Sequence, residues 1–215
     1  MYTYELKNNR CTFTFEDSAE SLCRSIFATK LLSGMTLNTS TYKTFSFHAY
    51  KIQTLEEYVD RKSNQFTNFH YKEALIMANH LGEQLFHLEK QGNSLLWMDY
   101  EHILVINKCI FFYFGNNQVV SRTSTGFMTF STPTLLSKHL FTAPEFSGIN
   151  SLPVLIPSQA PYYSLGAIII YCLFPNIDPQ NISREDMASI KESKLFWFLL
   201  RAIKDDPRKR RLLLV

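Results

Sequence analysis

The chain has 215 residues, 46% hydrophobic and 19% charged, which suits one compact domain or two lobes sharing a core. Its longest apolar run, Leu165 to Phe174, is far too short to span a bilayer, so no membrane-spanning helix is expected. A net charge of +3 is too weak to mark a nucleic-acid binder, and only 7 glycines argue against a large, loop-rich nucleotide site.

In chain order, Tyr2–Leu6 and Cys11–Phe15 alternate aromatic or β-branched residues around Lys7-Asn8-Asn9-Arg10, a hairpin signal. Glu16-Asp17-Ser18 is expected to cap a helix running to about Leu32 and stopped by Gly34. Its apolar face is Leu22, Ile26 and Leu31, or else Ala19, Cys23 and Phe27. Tyr42 to Ile52 alternates again and predicts one or two strands. Thr54, with Glu57 three residues on, forms a capping box for a short helix. Tyr71 to Glu89 carries an apolar stripe of Leu75, Ala78, Leu81 (or Gly82), Leu85 and Leu88, ended by Gln91-Gly92-Asn93. Ile103–Ile106 and Cys109–Phe114 predict two strands around Asn107-Lys108. From Ser121 to Pro161 proline and glycine interrupt any periodicity. Tyr162 to Phe174 is apolar all round, which predicts a fully buried helix, and Lys194 to Lys204 is amphipathic with Leu195, Leu199 and Ile203 inward. The order implies a small β-containing lobe joined to a larger helical one, an α+β chain.

The start, Met1-Tyr2-Thr3-Tyr4-Glu5, has neither the basic residues nor the apolar stretch of a secretory signal, so the expected location is cytoplasmic. The cysteines at 11, 23, 109 and 172 lack metal-ligand spacing and are expected to be reduced and buried; the sequons at Asn38 and Asn181 then carry no weight. Lys204, Arg208, Lys209, Arg210 and Arg211 surround Asp205 and Asp206 and could meet phosphate or an acidic partner. A solvated helix cap plus one structural ion pair is the simpler account.

Three motifs then fall in order: Thr142-Ala143-Pro144-Glu145-Phe146, Tyr163-Ser164-Leu165-Gly166 opening the buried helix, and Asp206-Pro207-Arg208-Lys209-Arg210. In that order and spacing the chain resembles the C-terminal lobe of a eukaryotic protein kinase, and its compact layout is similar to small kinase-like proteins of large DNA viruses. The resemblance implies a bilobal kinase-like fold: a reduced β-containing N-lobe over residues 1–52, a mostly helical C-lobe-like region over 53–215, and together one kinase-like domain. It implies a buried, bidentate ion pair between Glu145 and Arg210, with Pro144 and Gly166 as structural positions. It also makes Phe47 to Lys51 the hinge strand, with His48, Tyr50 and Lys51 beside any bound nucleotide.

The same resemblance, aligned through Glu101-His102-Ile103-Leu104, implies that the chemistry is gone. The catalytic Asp position is Trp97 and the metal-binding Asn position is His102, while the Asp-Phe-Gly motif reads Tyr113-Phe114-Gly115. Indole accepts no proton, and imidazole and phenol are poor ligands for Mg²⁺, which prefers hard oxygens. Asp99 is two residues late for the base and reads as a solvated loop carboxylate, with Asn107 or Asn116 as companions if an active site were displaced. No Gly-x-Gly-x-x-Gly occurs, and Lys30, Lys43 and Glu20 read as surface charge. Pro161 replaces the Asp that fastens the catalytic loop in kinases. Phe196-Trp197-Phe198 reads as core packing or as part of a docking surface.

The resemblance therefore implies a pseudokinase: a non-catalytic binding or regulatory module with no cofactor or metal expected, a protein partner such as a host kinase or kinase substrate, and, for a viral protein, the host cytoplasm as its location. The alternatives are a divergent Ser/Thr kinase that binds ATP and Mg²⁺ through displaced residues, a decoy for a true kinase or its substrate, and a helical domain of another kind.

Overall fold

A computed structural model describes residues 1–65, 68–131, 140–179 and 181–212 of this chain, and they form a mixed α+β structure. Strands β1 (Tyr2–Lys7) and β2 (Arg10–Phe15) make the expected hairpin. Asn8 and Asn9 turn it with φ of 49° and 59°, the left-handed pair that a two-residue hairpin turn needs and that asparagine tolerates. Along β2 the alternation is complete, with Cys11, Phe13 and Phe15 turned inward.

Helix α1 (Glu20–Thr29) is shorter than its sequence suggests. The chain before it is held to the sheet instead: Phe15 N–H donates to Lys43 O, Ala19 N–H to Tyr42 O, and Lys43 Nζ to Glu16 O. Helical geometry is thus excluded until residue 20, and Ala19 rather than Ser18 takes the N-cap position without a side-chain bond. Lys30, with φ of 58°, ends the helix four residues ahead of Gly34. Its inward set is Leu22, Cys23 and Ile26; Leu31 lies beyond the helix, and Phe27, which one candidate face buried, is exposed. A two-residue strand β3 (Thr36–Leu37), which carries no sequence signal, and β4 (Thr44–His48) complete an antiparallel sheet of order β1-β2-β4-β3.

Strand β5 (Ile52–Thr54) leads into α2 (Leu55–Asn64) through the predicted capping box: Glu57 N–H donates to Thr54 Oγ1 (3.1 Å) and Thr54 N–H to Glu57 Oε2 (2.9 Å). Helix α3 (Tyr71–Lys90) buries Ala78, Leu81, Gly82, Leu85 and Leu88 as the stripe requires, joined by Ala74 and Met77, while Leu75 is only half-buried. Strand β6 (Asn93–Leu95) pairs with β9 (Val119–Ser121), and β10 (Phe127–Phe130) with β11 (Val154–Pro157); none of the four is expected from the sequence, β6 and β9 being only three residues long and β10 and β11 lying in the stretch broken by proline and glycine.

Strands β7 (Ile103–Ile106) and β8 (Ile110–Tyr113) form a hairpin that β5 extends into a sheet. Both of its faces are buried. Leu104, Ile106, Phe112 and Phe114 join the core made by β2, β4 and α1, whereas Ile103, Val105, Phe111 and Tyr113 join the core of α3 and the C-terminal helices. Helix α4 (Ala160–Leu173) is buried on nearly every side, and α5 (Lys194–Ala202) packs against it. Of the cysteines, Cys11, Cys23 and Cys172 are buried and Cys109, at the tip of the β7–β8 hairpin, is exposed, against the expectation for it. No described helix is long and apolar enough to cross a membrane.

Gly166 sits where α4 meets α5. A Cβ there would lie 2.8 Å from Ala202 Cβ and 3.0 Å from Ile203 Cγ2, so the helices approach as closely as glycine allows. Gly166→Ala should therefore destabilise the protein by about 1–3 kcal/mol, the usual cost of overpacking, measured by denaturant unfolding. A second prediction concerns acid. Phe111 N–H donates to Nδ1 of His80 (3.3 Å), and burial pulls the imidazole down to about 4 from 6.5. The unfolded chain then takes up a proton that the folded state refuses, so stability should fall as pH drops from 6.5 towards about 4. His80→Gln should flatten that limb of the pH–stability curve.

Candidate functional site

The segment from Leu95 to Gly115 carries the positions at which kinase chemistry is expected, and each is built into the fold. Trp97 is buried, with its ring edge-on to Phe146 (5.6 Å) and Phe130 (6.4 Å), and its Nε1 donates to Asp99 Oδ1 (2.8 Å). Asp99 is not the solvated carboxylate its loop position suggests: its side chain is 11% exposed. Its Oδ2 accepts from Gln118 Nε2 (2.9 Å) and from the Tyr113 hydroxyl (3.4 Å), and His102 Nδ1 stands 3.5 Å away. Donors thus meet both oxygens of a side chain taken this far out of water.

Tyr113 is fully buried. Its phenol is raised well above the ordinary range, first by burial and then by the neighbouring Asp99 charge, so it stays a protonated donor. Its backbone is gripped by one side chain: Gln84 Oε1 accepts from Tyr113 N–H (2.9 Å) and Gln84 Nε2 donates to Tyr113 O (2.8 Å). Gly115 follows for a steric reason. A Cβ at 115 would come within 2.5 Å of Tyr113 Cζ and 2.7 Å of Gln118 Oε1, so the glycine is what lets the phenol fold back over the chain. His102 caps the group, its ring about 6.1 Å from both Tyr2 and Tyr113, in edge-on contacts.

Above this cluster the seam between the first sheet and the β7–β8 hairpin is filled. Phe13 stacks on Phe114 with ring centroids 4.5 Å apart and planes 12° from parallel, and Phe45 and Phe47 lie 5.2 and 5.8 Å from Phe13. All four are at most 2% exposed. The connection from β4 to β5 is equally committed. His48 N–H donates to Ser33 O (2.9 Å) and Ala49 N–H to Asn9 O (3.0 Å), while the N–H groups of Tyr50 and Lys51 both reach Asn107 Oδ1 (2.9 and 3.4 Å). The backbone donors that would face an adenine in a hinge are thus used internally. The expected hinge strand is also shorter, since β4 ends at His48 and residues 49–51 turn towards β5.

These residues do not fit a magnesium nucleotide. In the alignment the resemblance gives, imidazole and phenol would stand at the metal-ligand positions and indole at that of the base, and Asp99 is already saturated by neighbours. Asn107 shapes the hairpin turn with φ of 52°, and Asn116 Nδ2 donates to Ser18 O (3.3 Å). Among the described residues no three His, Cys, Asp or Glu side chains are grouped to hold a metal. Glu20 pairs with Arg24 (2.8 Å), Lys43 bonds Glu16 O, and Lys30 is an exposed helix end, so all three are surface charge.

The structural positions do converge. Pro144 opens a short 3-10 turn over Pro144–Phe146 that presents Glu145 to Arg210. Arg210 Nη1 and Nη2 donate to the two Glu145 oxygens (2.6 and 2.8 Å), Nε to Lys204 O (2.6 Å) and Nη2 also to Asp205 O (3.1 Å), with the guanidinium 5.2 Å from the Tyr163 ring centroid. Its side chain has no solvent exposure. The rest of the basic cluster is solvated, Arg208 forking onto its own Asp206. Phe196 and Phe198 are core, and Trp197 between them is 46% exposed.

Sequence reasoning missed Gln84 and Gln118. Neither has a positional signature, because a glutamine on an amphipathic helix or in a loop reads as surface until its partner's backbone is located. No protein-family model matches this chain, and no curated protein matches it.

Removing Arg210 would leave Glu145 nearly buried without its counter-charge. Arg210→Ala should cost roughly 3–5 kcal/mol, seen as a fall of many degrees in thermal unfolding; a variant melting within about a degree of wild type would show that the pair contributes little.

Proposed function

We propose that this chain is a pseudokinase: a kinase-like, bilobal domain with a reduced N-lobe that binds or regulates a protein partner and transfers no phosphate. What supports this most directly is the stack of Phe13 on Phe114 with Phe45 and Phe47, which fills the seam where a kinase admits its nucleotide. The Glu145–Arg210 pair supports the kinase-like half of the reading, since it joins the two motifs on which the resemblance rests. The saturation of Asp99 supports the non-catalytic half. A general base must reach a substrate proton, and this carboxylate already accepts bonds from Trp97, Gln118 and Tyr113. The partner fitting this reading is a true kinase or its substrate, met in the cytoplasm.

Thermal unfolding with and without ATP, each in Mg²⁺ and in EDTA, tests the proposal. A ligand at about 100 times its Kd adds about 2.7 kcal/mol, enough to raise the melting temperature by a few degrees. The expected result is no shift in any condition. A Mg²⁺-dependent shift, together with phosphate transfer lost in Asp99→Asn, would replace this reading with that of a divergent kinase.

A further inference from the structure

Among the described residues, strand β1 is hydrogen-bonded on one side alone. Phe15 N–H donates across to Lys43 O and Glu16 N–H to Met1 O, so along β2 the odd residues turn to β4 and the even ones to β1. The β1 residues that complete those bonds are Thr3, Glu5 and Lys7, the partners of Thr14, Thr12 and Arg10. The N–H and C=O groups of Tyr2, Tyr4 and Leu6 therefore point to the open edge, which no described strand pairs with. The side chains of the same residues lie on the core face: the Tyr4 ring stacks on Phe13 at 5.3 Å. Yet Tyr4 and Leu6 remain 40% and 38% exposed, whereas Phe13 and Cys11 opposite them are 0% exposed. The core face overhangs its core at this edge.

Of the usual devices that blunt an edge, β1 carries only surface charge, at Glu5 and Lys7. It has no proline, its register with β2 runs without a bulge, and no charge points inward. Glu5 and Lys7 sit on the outer face and neutralise one another at 2.6 Å.

We propose that β1 pairs antiparallel with β1 of a second copy of this chain, about a two-fold axis at Tyr4, so that the two first sheets run on as one. A two-fold axis through a continuous antiparallel sheet must set one residue opposite itself, which leaves few registers. With Tyr4 on the axis, Tyr2 meets Leu6 of the second copy and Thr3 meets Glu5. Every outward backbone group of Tyr2, Tyr4 and Leu6 then finds a partner, and the one like-charge pair, the Met1 ammonium opposite Lys7, is offset because each is already bonded to a carboxylate of its own chain, Glu16 and Glu5. Centring on Thr3 shortens the ladder; centring on Glu5 shortens it and also sets two carboxylates face to face.

Sedimentation equilibrium of the intact chain up to about 100 µM, well above a micromolar Kd, reads the association directly. Site-resolved amide exchange at the same concentrations locates it. The expected result is a dimer at the upper end, with the Tyr4 and Leu6 amides slowing as concentration rises. Leu6→Pro removes an outward N–H that no intrachain bond uses, and should return a monomer that melts near wild type. Where that variant unfolds, Tyr4→Lys, which sets two ammonium groups on the axis, should be monomeric. A monomer throughout overturns the proposal. So does a dimer that keeps its mass in a folded Leu6→Pro or Tyr4→Lys variant, or one in which the Tyr4 and Leu6 amides exchange at an unchanged rate.

Discussion

The β7–β8 hairpin has no solvent face, and most of the structure follows from that. Residues alternate along a strand, so Leu104, Ile106, Phe112 and Phe114 serve the core of the first sheet while Ile103, Val105, Phe111 and Tyr113 serve the helical core. A strand buried on both sides must be apolar at every position, which is why both read as unbroken apolar runs. It also means that any polar atom brought into this layer has to carry its partners with it. Tyr113 does so with Asp99 for its hydroxyl and Gln84 for its backbone.

This constraint and the demands of phosphoryl transfer oppose one another. A metal-binding carboxylate needs free lone pairs facing an open, polar space. Here the seam between the two cores is closed by stacked phenylalanines, and Asp99 accepts from an indole, an amide and a phenol. On the proposed kinase-like reading, each group that would hold charge at the surface of a cleft is replaced by a ring or donor that seals one. Packing of Phe45, Phe47 and Phe114 around Phe13 contributes dispersion and apolar burial over the seam, where a nucleotide cleft would contribute none in the empty protein.

How much of this was legible depended on whether a feature is local. The Asn8-Asn9 hairpin, the Thr54–Glu57 box, the stripe of α3 and the all-apolar α4 each announce themselves within a turn or two of chain, and they stand as expected. The Glu145–Arg210 pair, 65 residues apart, was reached through a resemblance rather than by any local pattern. Helix α1 illustrates the failure mode. Ser18 followed by Ala19 and Glu20 is a good local start signal, but Phe15 and Ala19 were bonded to residues 43 and 42, and the tertiary contacts won. Asp99 fails in the same way: a carboxylate in a turn reads as solvated unless one knows that Trp97, Tyr113 and Gln118 converge on it.

The exposure pattern of the cysteines has a practical consequence. The thiolate is the nucleophile, and burial pushes the thiols of Cys11 and Cys23 up to about 12 and that of Cys172 higher still. Cys109 alone stands at the surface, at the tip of the double-faced hairpin. In the folded chain one alkylating reagent should therefore decorate a single position, and each further adduct would report a molecule whose core has opened. The protein thus carries its own tally of unfolding, with a label site fixed to the layer that its two cores share.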